Sequence, residues 1–214
     1  MAIYSYFQRV YVRLHFKINS MDIIKLAEQT QLIALKILEE TRIIQEWESI
    51  GATVNIVGSI RSGLMMKSKD IDLHIYSDIL DIEESFSIMQ KLSKRLSFKE
   101  ILYKNQIHTD EECIEWHAWY EDNQLNLWKF DMIHIRKGSK YDGFVERVTD
   151  AIIEKLTPEI REVILNIKFD IPETIIIPSI EIYYAVFSGK VKNYIEFEQW
   201  RRDNPMINSL DWQP

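Results

Sequence analysis

Gly58-Ser59-Ile60-Arg61-Ser62-Gly63, followed after Leu64-Met65-Met66 by Lys67-Ser68-Lys69-Asp70-Ile71-Asp72-Leu73, is the stretch on which the fold of this chain turns. The run before it, Thr53-Val54-Asn55-Ile56-Val57, is β-branched and apolar and reads as a buried strand that stops at glycine. Beyond the loop a second strand runs from Asp70 to Tyr76. Ile71, Leu73 and Ile75 face one way, and Asp70, Asp72, His74 and Tyr76 the other.

Asp70 and Asp72 therefore set two carboxylates side by side. Left alone they repel, and one is driven towards protonation. A divalent cation relieves the repulsion, and Mg²⁺ favours one or two carboxylates with water and substrate phosphates completing its shell. No His/Cys cluster at zinc spacing competes for the role. Gly58-Ser59, ending a strand and opening a helix, turns backbone amides towards an anion. The glycine lets a phosphate come close and the Ser59 hydroxyl can donate to it, while Arg61, Lys67 and Lys69 stand around the loop to neutralise its charge. A Gly-[Gly/Ser] pair, a gap of about nine to thirteen residues and then Asp-apolar-[Asp/Glu]-apolar arises by chance in a chain of this length about one time in a hundred.

A third carboxylate is sought in Leu127-Trp128-Lys129-Phe130-Asp131-Met132-Ile133-His134-Ile135, a strand otherwise built for burial. An unpaired Asp131 is costly there, and an adjacent metal or acceptor accounts for it. The competing explanation is a salt bridge from Asp131 to Lys129 or Arg136.

These segments resemble the signature of the DNA-polymerase-β-like nucleotidyltransferase superfamily, Gly-Ser…Gly…Ser-Asp-x-Asp, over roughly residues 22–136. The resemblance implies a two-metal Mg²⁺ site on Asp70, Asp72 and Asp131, with Asp131 also the base. It implies a nucleoside triphosphate co-substrate, ATP foremost, held by Gly58, Ser59, Arg61, Lys67 and Lys69. Two metals would clamp the attacking and leaving oxygens of an in-line displacement. One departure is Lys69, immediately before Asp70, where relatives often carry serine; Ser68 is one residue away.

The rest of the chain supplies a mixed sheet with flanking helices, an α+β nucleotidyltransferase fold with a helical C-terminal portion. Helices are expected over 22–49, 81–96, 142–156, 158–168, 179–187 and 190–202. Further strands are expected over 98–103, 113–120 and 125–136, the last two joined through Glu121-Asp122-Asn123-Gln124. Residues 1–20 alternate Val10, Val12, Leu14, Phe16 and Ile18 with polar residues and read as an extension with strand character. Residues 21–138 form the catalytic domain and 139–214 a helical region shaping the acceptor site. His74 and His134 are expected to line or support the site, and His117 with Glu115 to form an exposed pair. Trp116, Trp119, Tyr120 and Trp128 are expected to pack in the core.

The net charge of −7 favours a small or cationic acceptor over a long polynucleotide, which draws on many Lys and Arg contacts. A hydroxyl-bearing small molecule is the expected acceptor, and a homodimer is compatible with it. Cys113, the only cysteine, cannot form an internal disulfide and points to a reduced cytoplasm. No apolar run reaches the ~18–20 residues of a membrane span. The alternative is an antitoxin-like or degenerate member of the superfamily acting through a partner chain, motivated by the basic N-terminal strand.

Overall fold

The computed structural model describes residues 20–205, together with 212 and 214. The strand expected before residue 20 lies outside the described residues. Helix α1, Ser20–Thr41, and helix α2, Ile43–Glu48, precede strand β1, Thr53–Ile56, and the short helix α3, Gly58–Ser62. Strand β2 is Asp70–Ser77, helix α4 Ile82–Arg95, and strands β3, β4 and β5 are Phe98–Gln106, Cys113–Glu121 and Leu127–Arg136. The helices α5, Phe144–Lys155, α6, Pro158–Asp170, α7, Ser179–Phe187, and α8, Tyr194–Asp203, complete the chain. Among the described residues no helix is long and apolar enough to cross a membrane.

The helix ends follow their capping chemistry. Asp81 accepts from the Glu84 amide at 2.9 Å, Thr157 from Ile160 at 3.3 Å with proline next in line, and Asn193 from Glu196 at 3.0 Å. Three expectations shift. The first long helix breaks at Arg42, which adopts φ 52° so that Ile43 and Trp47 turn into the core. Ser179 is the first helical residue rather than the cap, a position taken by Pro178. The last helix starts at Tyr194, after Lys190 at φ 55°.

The five strands are ordered β1-β2-β5-β4-β3. Strands β2 and β5 are parallel, with Asp70 opposite Lys129 and Asp72 opposite Asp131; the other neighbours are antiparallel. One face, bearing Ile71, Leu73, Ile75, Trp116, Phe130 and Met132, is sealed by α1, α2 and α4 in a core that includes Trp47, Ile88 and Leu92. A second core unites α5 to α8 with Leu64 and Met66. Helix α1 serves both, Ala34, Ile37 and Leu38 entering the first core and Ile23 and Ala27 the second.

Buried polar bonds tie the C-terminal helices to the other sheet face. Glu146 of α5 accepts from Tyr76 at 2.7 and 2.8 Å and from Asn55 at 3.0 Å, and lies 3.5 Å from His74. Burial alone would raise this carboxyl, but the hydrogen bonds from His74, Tyr76 and Asn55 outweigh it and hold the group down at about 2.

Candidate active site

The sheet face opposite the first core opens into a cavity of about 930 Å³ between β2, β5, the 58–69 loop and the helices α5 to α7. Asp70, Asp72 and Asp131 line it together, as do Gly58, Ser59, Lys67 and Lys69. Parallel pairing of β2 with β5 is what brings Asp131 beside Asp72, since register partners on adjacent strands share a face.

The loop is clamped from behind. Gln31 of α1 donates to the Ile60 carbonyl at 2.6 Å, Arg161 of α6 to Gly63 at 3.3 Å and Lys168 of α6 to Leu64 at 2.7 Å. Gly58 has φ +66°, and a Cβ there would overlap Asp72 Oδ2. Glycine is required because the loop backbone lies against the carboxylate.

Asp72 keeps some surface yet is packed among enough protein atoms that burial, then the like charges of Asp131 and Asp70, pushes its carboxyl up to about 7. Lys168 and Lys129 act in the opposite direction. The donor set fits a hard divalent cation: oxygen ligands from facing strands, with a charge excess that such an ion removes.

The lysines differ in their partners. Lys67 donates to the Ile171 carbonyl at 2.5 Å and lies over the Phe169 ring, and Lys69 donates to Asn126 Oδ1 at 2.5 Å. These partners are neutral, so both side chains bring net positive charge to the cavity. Arg61 does not line the cavity; it pairs with Asp150 of α5 at 2.5 Å. Its place on α3 points it to the adjacent helix rather than into the cavity. Lys168, absent from the sequence expectations, lines the cavity while almost fully buried. Burial pushes it down to about 8 against the pull of Asp72 and Asp70. No motif marks it, because only the packing of α6 carries it under the loop.

Asp131 is held on both oxygens. Lys129 approaches Oδ1 at 2.8 Å and Oδ2 at 3.0 Å, and His117 Nδ1 makes a short contact with Oδ1. His117 Nε2 continues to Glu115 at 2.9 Å, and Glu115 to Lys104 at 2.9 Å. The expected exposed His117–Glu115 pair is thus a partly buried link to the third carboxylate. His134 lies on the opposite face, edge-on to Trp47 at 5.1 Å, because three steps from Asp131 invert the pleat. His74 shares the carboxylate face but is taken up by Tyr76 and Glu146. Trp116 and Trp128 are core residues as expected and Tyr120 packs on Phe130, whereas Trp119 lines the cavity.

Among the described residues, the one trio of His, Cys, Asp or Glu donors gathered within 4.8 Å is Glu111, Cys113 and Glu115, not the three aspartates. Burial, with the two glutamates, pushes the Cys113 thiol up to about 12, so no thiolate is offered there.

No protein-family model and no curated protein matches the chain. Solved structures do. The chain is similar to the GLD-2/RNP-8 complex with a TM-score of 0.53 and 11% identity, over 89% of this chain and 74% of that one. It is similar to the non-canonical poly(A) polymerase complex GLD-2–GLD-3 with a TM-score of 0.55 and 11% identity, over 89% of this chain and 66% of that one. Similarity to Cid1 poly(U) polymerase with MgATP bound has a TM-score of 0.52 and 14% identity, over 79% of this chain and 56% of that one. The fold is that of the nucleotidyltransferases: a mixed five-stranded sheet with flanking helices.

Proposed function

We propose that the protein is a Mg²⁺-dependent nucleotidyltransferase that moves a nucleoside monophosphate from an NTP, ATP foremost, to a hydroxyl of a small acceptor. The observation that carries this is the convergence of Asp70, Asp72 and Asp131 on one cavity with the Gly58-Ser59 loop. Asp70 and Asp72 would hold the ion, joined by Asp131, and the ion would supply charge stabilisation at the phosphates. Gly58, Ser59, Lys67, Lys69 and Lys168 would meet the triphosphate. Asp131 would take the acceptor hydroxyl's proton as the acceptor oxygen bonds to the α-phosphorus and pyrophosphate leaves with the electrons of the broken P–O bond. Catalysis would rest on positioning and fixed charge.

A small acceptor is supported by volume and charge. A cavity of about 930 Å³ has room for a nucleotide and a modest molecule beside it. The chain's net charge of −7 works against wide contact with a polynucleotide. In this reading residues 139–214 shape the acceptor side, where Ile152, Ile171 and Ile177 form apolar walls. A second reading, transfer to the 3′ end of an RNA, is favoured by the poly(A) and poly(U) polymerases of similar fold.

Thermal unfolding with each NTP, with and without Mg²⁺, on wild type and Asp70→Asn tests the reading. The expected result is a Mg²⁺-dependent rise with at least one NTP that the variant lacks. Pyrophosphate release with small polyols, amino sugars or a short RNA as acceptor then separates the two readings. No rise with any NTP at millimolar concentration would overturn both and favour a protein acting through a partner chain.

A further inference from the structure

The three aspartates share a cavity, yet their oxygens are not drawn together within 4.8 Å as a trio. Each outer member is turned aside by a donor of this chain: Asp70 Oδ2 accepts from the Ser68 hydroxyl, and Asp131 is engaged by Lys129 and His117. These restraints differ in kind. Ser68 and His117 can stay beside a carboxylate that also binds an ion. The Lys129 ammonium, bridging both oxygens of Asp131 at 2.8 and 3.0 Å, occupies the position of a cation.

Lys129 also has a second partner within reach. Its Nζ lies 5.5 Å from the centre of the Trp119 ring, on the same sheet face. Trp119 lines the cavity and is half-buried, so its ring can hold the ammonium after it leaves the carboxylate. The side chain is tethered at the backbone and need only swing from the carboxylate to the ring.

We propose that Lys129 is a built-in counter-cation of Asp131 that a divalent ion must displace. Asp70 and Asp72 take up the first ion freely, and Asp131 joins the set only when Lys129 moves to Trp119. This rests on the nucleotidyl-transfer reading, because it needs a metal at Asp70 and Asp72. It gives Lys129 a positioning role: it keeps the third carboxylate out of a nucleotide-free metal site, so that a second ion enters only by displacing the ammonium.

The test is Mn²⁺ binding to the full chain without nucleotide, followed by electron paramagnetic resonance of the free ion, in wild type, Lys129→Gln, Lys129→Arg and Asp70→Asn. Wild type should bind a first Mn²⁺ that Asp70→Asn loses, and a second more weakly. Lys129→Gln should tighten the second by about tenfold, the order set by removing a competing, half-buried ion pair. Lys129→Arg, whose fork grips a carboxylate with both nitrogens, should weaken it below wild type. Opposite effects from two variants at one position cannot come from general loss of structure. Unchanged or weaker second-ion binding in Lys129→Gln, with the first ion intact, would overturn the role of Lys129 alone. Absence of any Asp70-dependent Mn²⁺ binding would overturn the metal site on which it stands.

Discussion

Replacing Gly58 by alanine probes the contact between the Gly58-Ser59 loop and the carboxylates. Gly58 has φ +66°, and a Cβ there would overlap Asp72 Oδ2 and stand 3.1 Å from Asp72 Cγ. Two costs add. A left-handed backbone costs an L-residue about 1–2 kcal/mol. Pushing Asp72 off its rotamer within a packed site costs about 1–2 kcal/mol more. Gly51 isolates the first cost, since it has φ +81° with nothing within 4 Å of an added Cβ. Gly51→Ala should therefore lower stability by about 1–2 kcal/mol and Gly58→Ala by about 2–4 kcal/mol. At about 2–4 °C per kcal/mol for a chain of this size, the melting points should fall by about 2–8 °C and 4–16 °C respectively. Thermal unfolding of both variants, with and without Mg²⁺ and NTP, is the assay. Gly51→Ala should keep the full ligand-dependent rise, while Gly58→Ala should lose it because Asp72 is displaced. Equal melting points for the two variants, with the ligand-dependent rise intact in Gly58→Ala, would refute the assigned contact.

Glu146 has a folded value of about 2 against an ordinary 4.5, so its contribution is complete above about pH 4.5 and is lost as pH falls towards 2. Acid titration followed by circular dichroism should show a shallower loss over that window in Glu146→Gln, and identical profiles would contradict the network. Lys168→Met removes a buried cation together with its bond to the Leu64 carbonyl, so stability should fall by about 1–3 kcal/mol, while NTP binding by calorimetry should weaken by about tenfold; unaltered affinity would place the triphosphate elsewhere. Asp81→Ala, which loses the cap of α4, should cost about 1 kcal/mol, or about 2–4 °C, and leave the ligand-dependent rise intact; loss of that rise would mean that α4 supports the site and not only the core.

Much of the fold was legible because local rules agreed with the tertiary ones. The alternation through Asp70–Tyr76 is a pleat with one face in a core, and its register with Phe130 and Met132 follows from sealing that face. The hairpin was harder. Arms meeting through residues 121–124 would set Tyr120 against Leu125, but Asp122 accepts from the Gln124 and Asn126 amides and the Trp128 indole, lengthening the turn to 122–126. Tyr120 then pairs with Trp128, and His117 comes opposite Asp131. A side chain's choice of hydrogen bonds decided that register, and no periodicity records it.

The sequence alone determined which carboxylates and which glycine form the cavity floor, because a strand's period of two and a glycine at a positive-φ turn are local constraints that few other residues satisfy. Asp70, Asp72 and Gly58 could be read for that reason. Tertiary structure alone decided which cations face them. Arg61 pairs with Asp150, Lys168 was delivered under the loop by α6, and Lys129 was set between Asp131 and Trp119. The physical reason is reach and competition: a lysine or arginine can swing across several ångströms of space, so its partner is set by which helix or strand packs nearest.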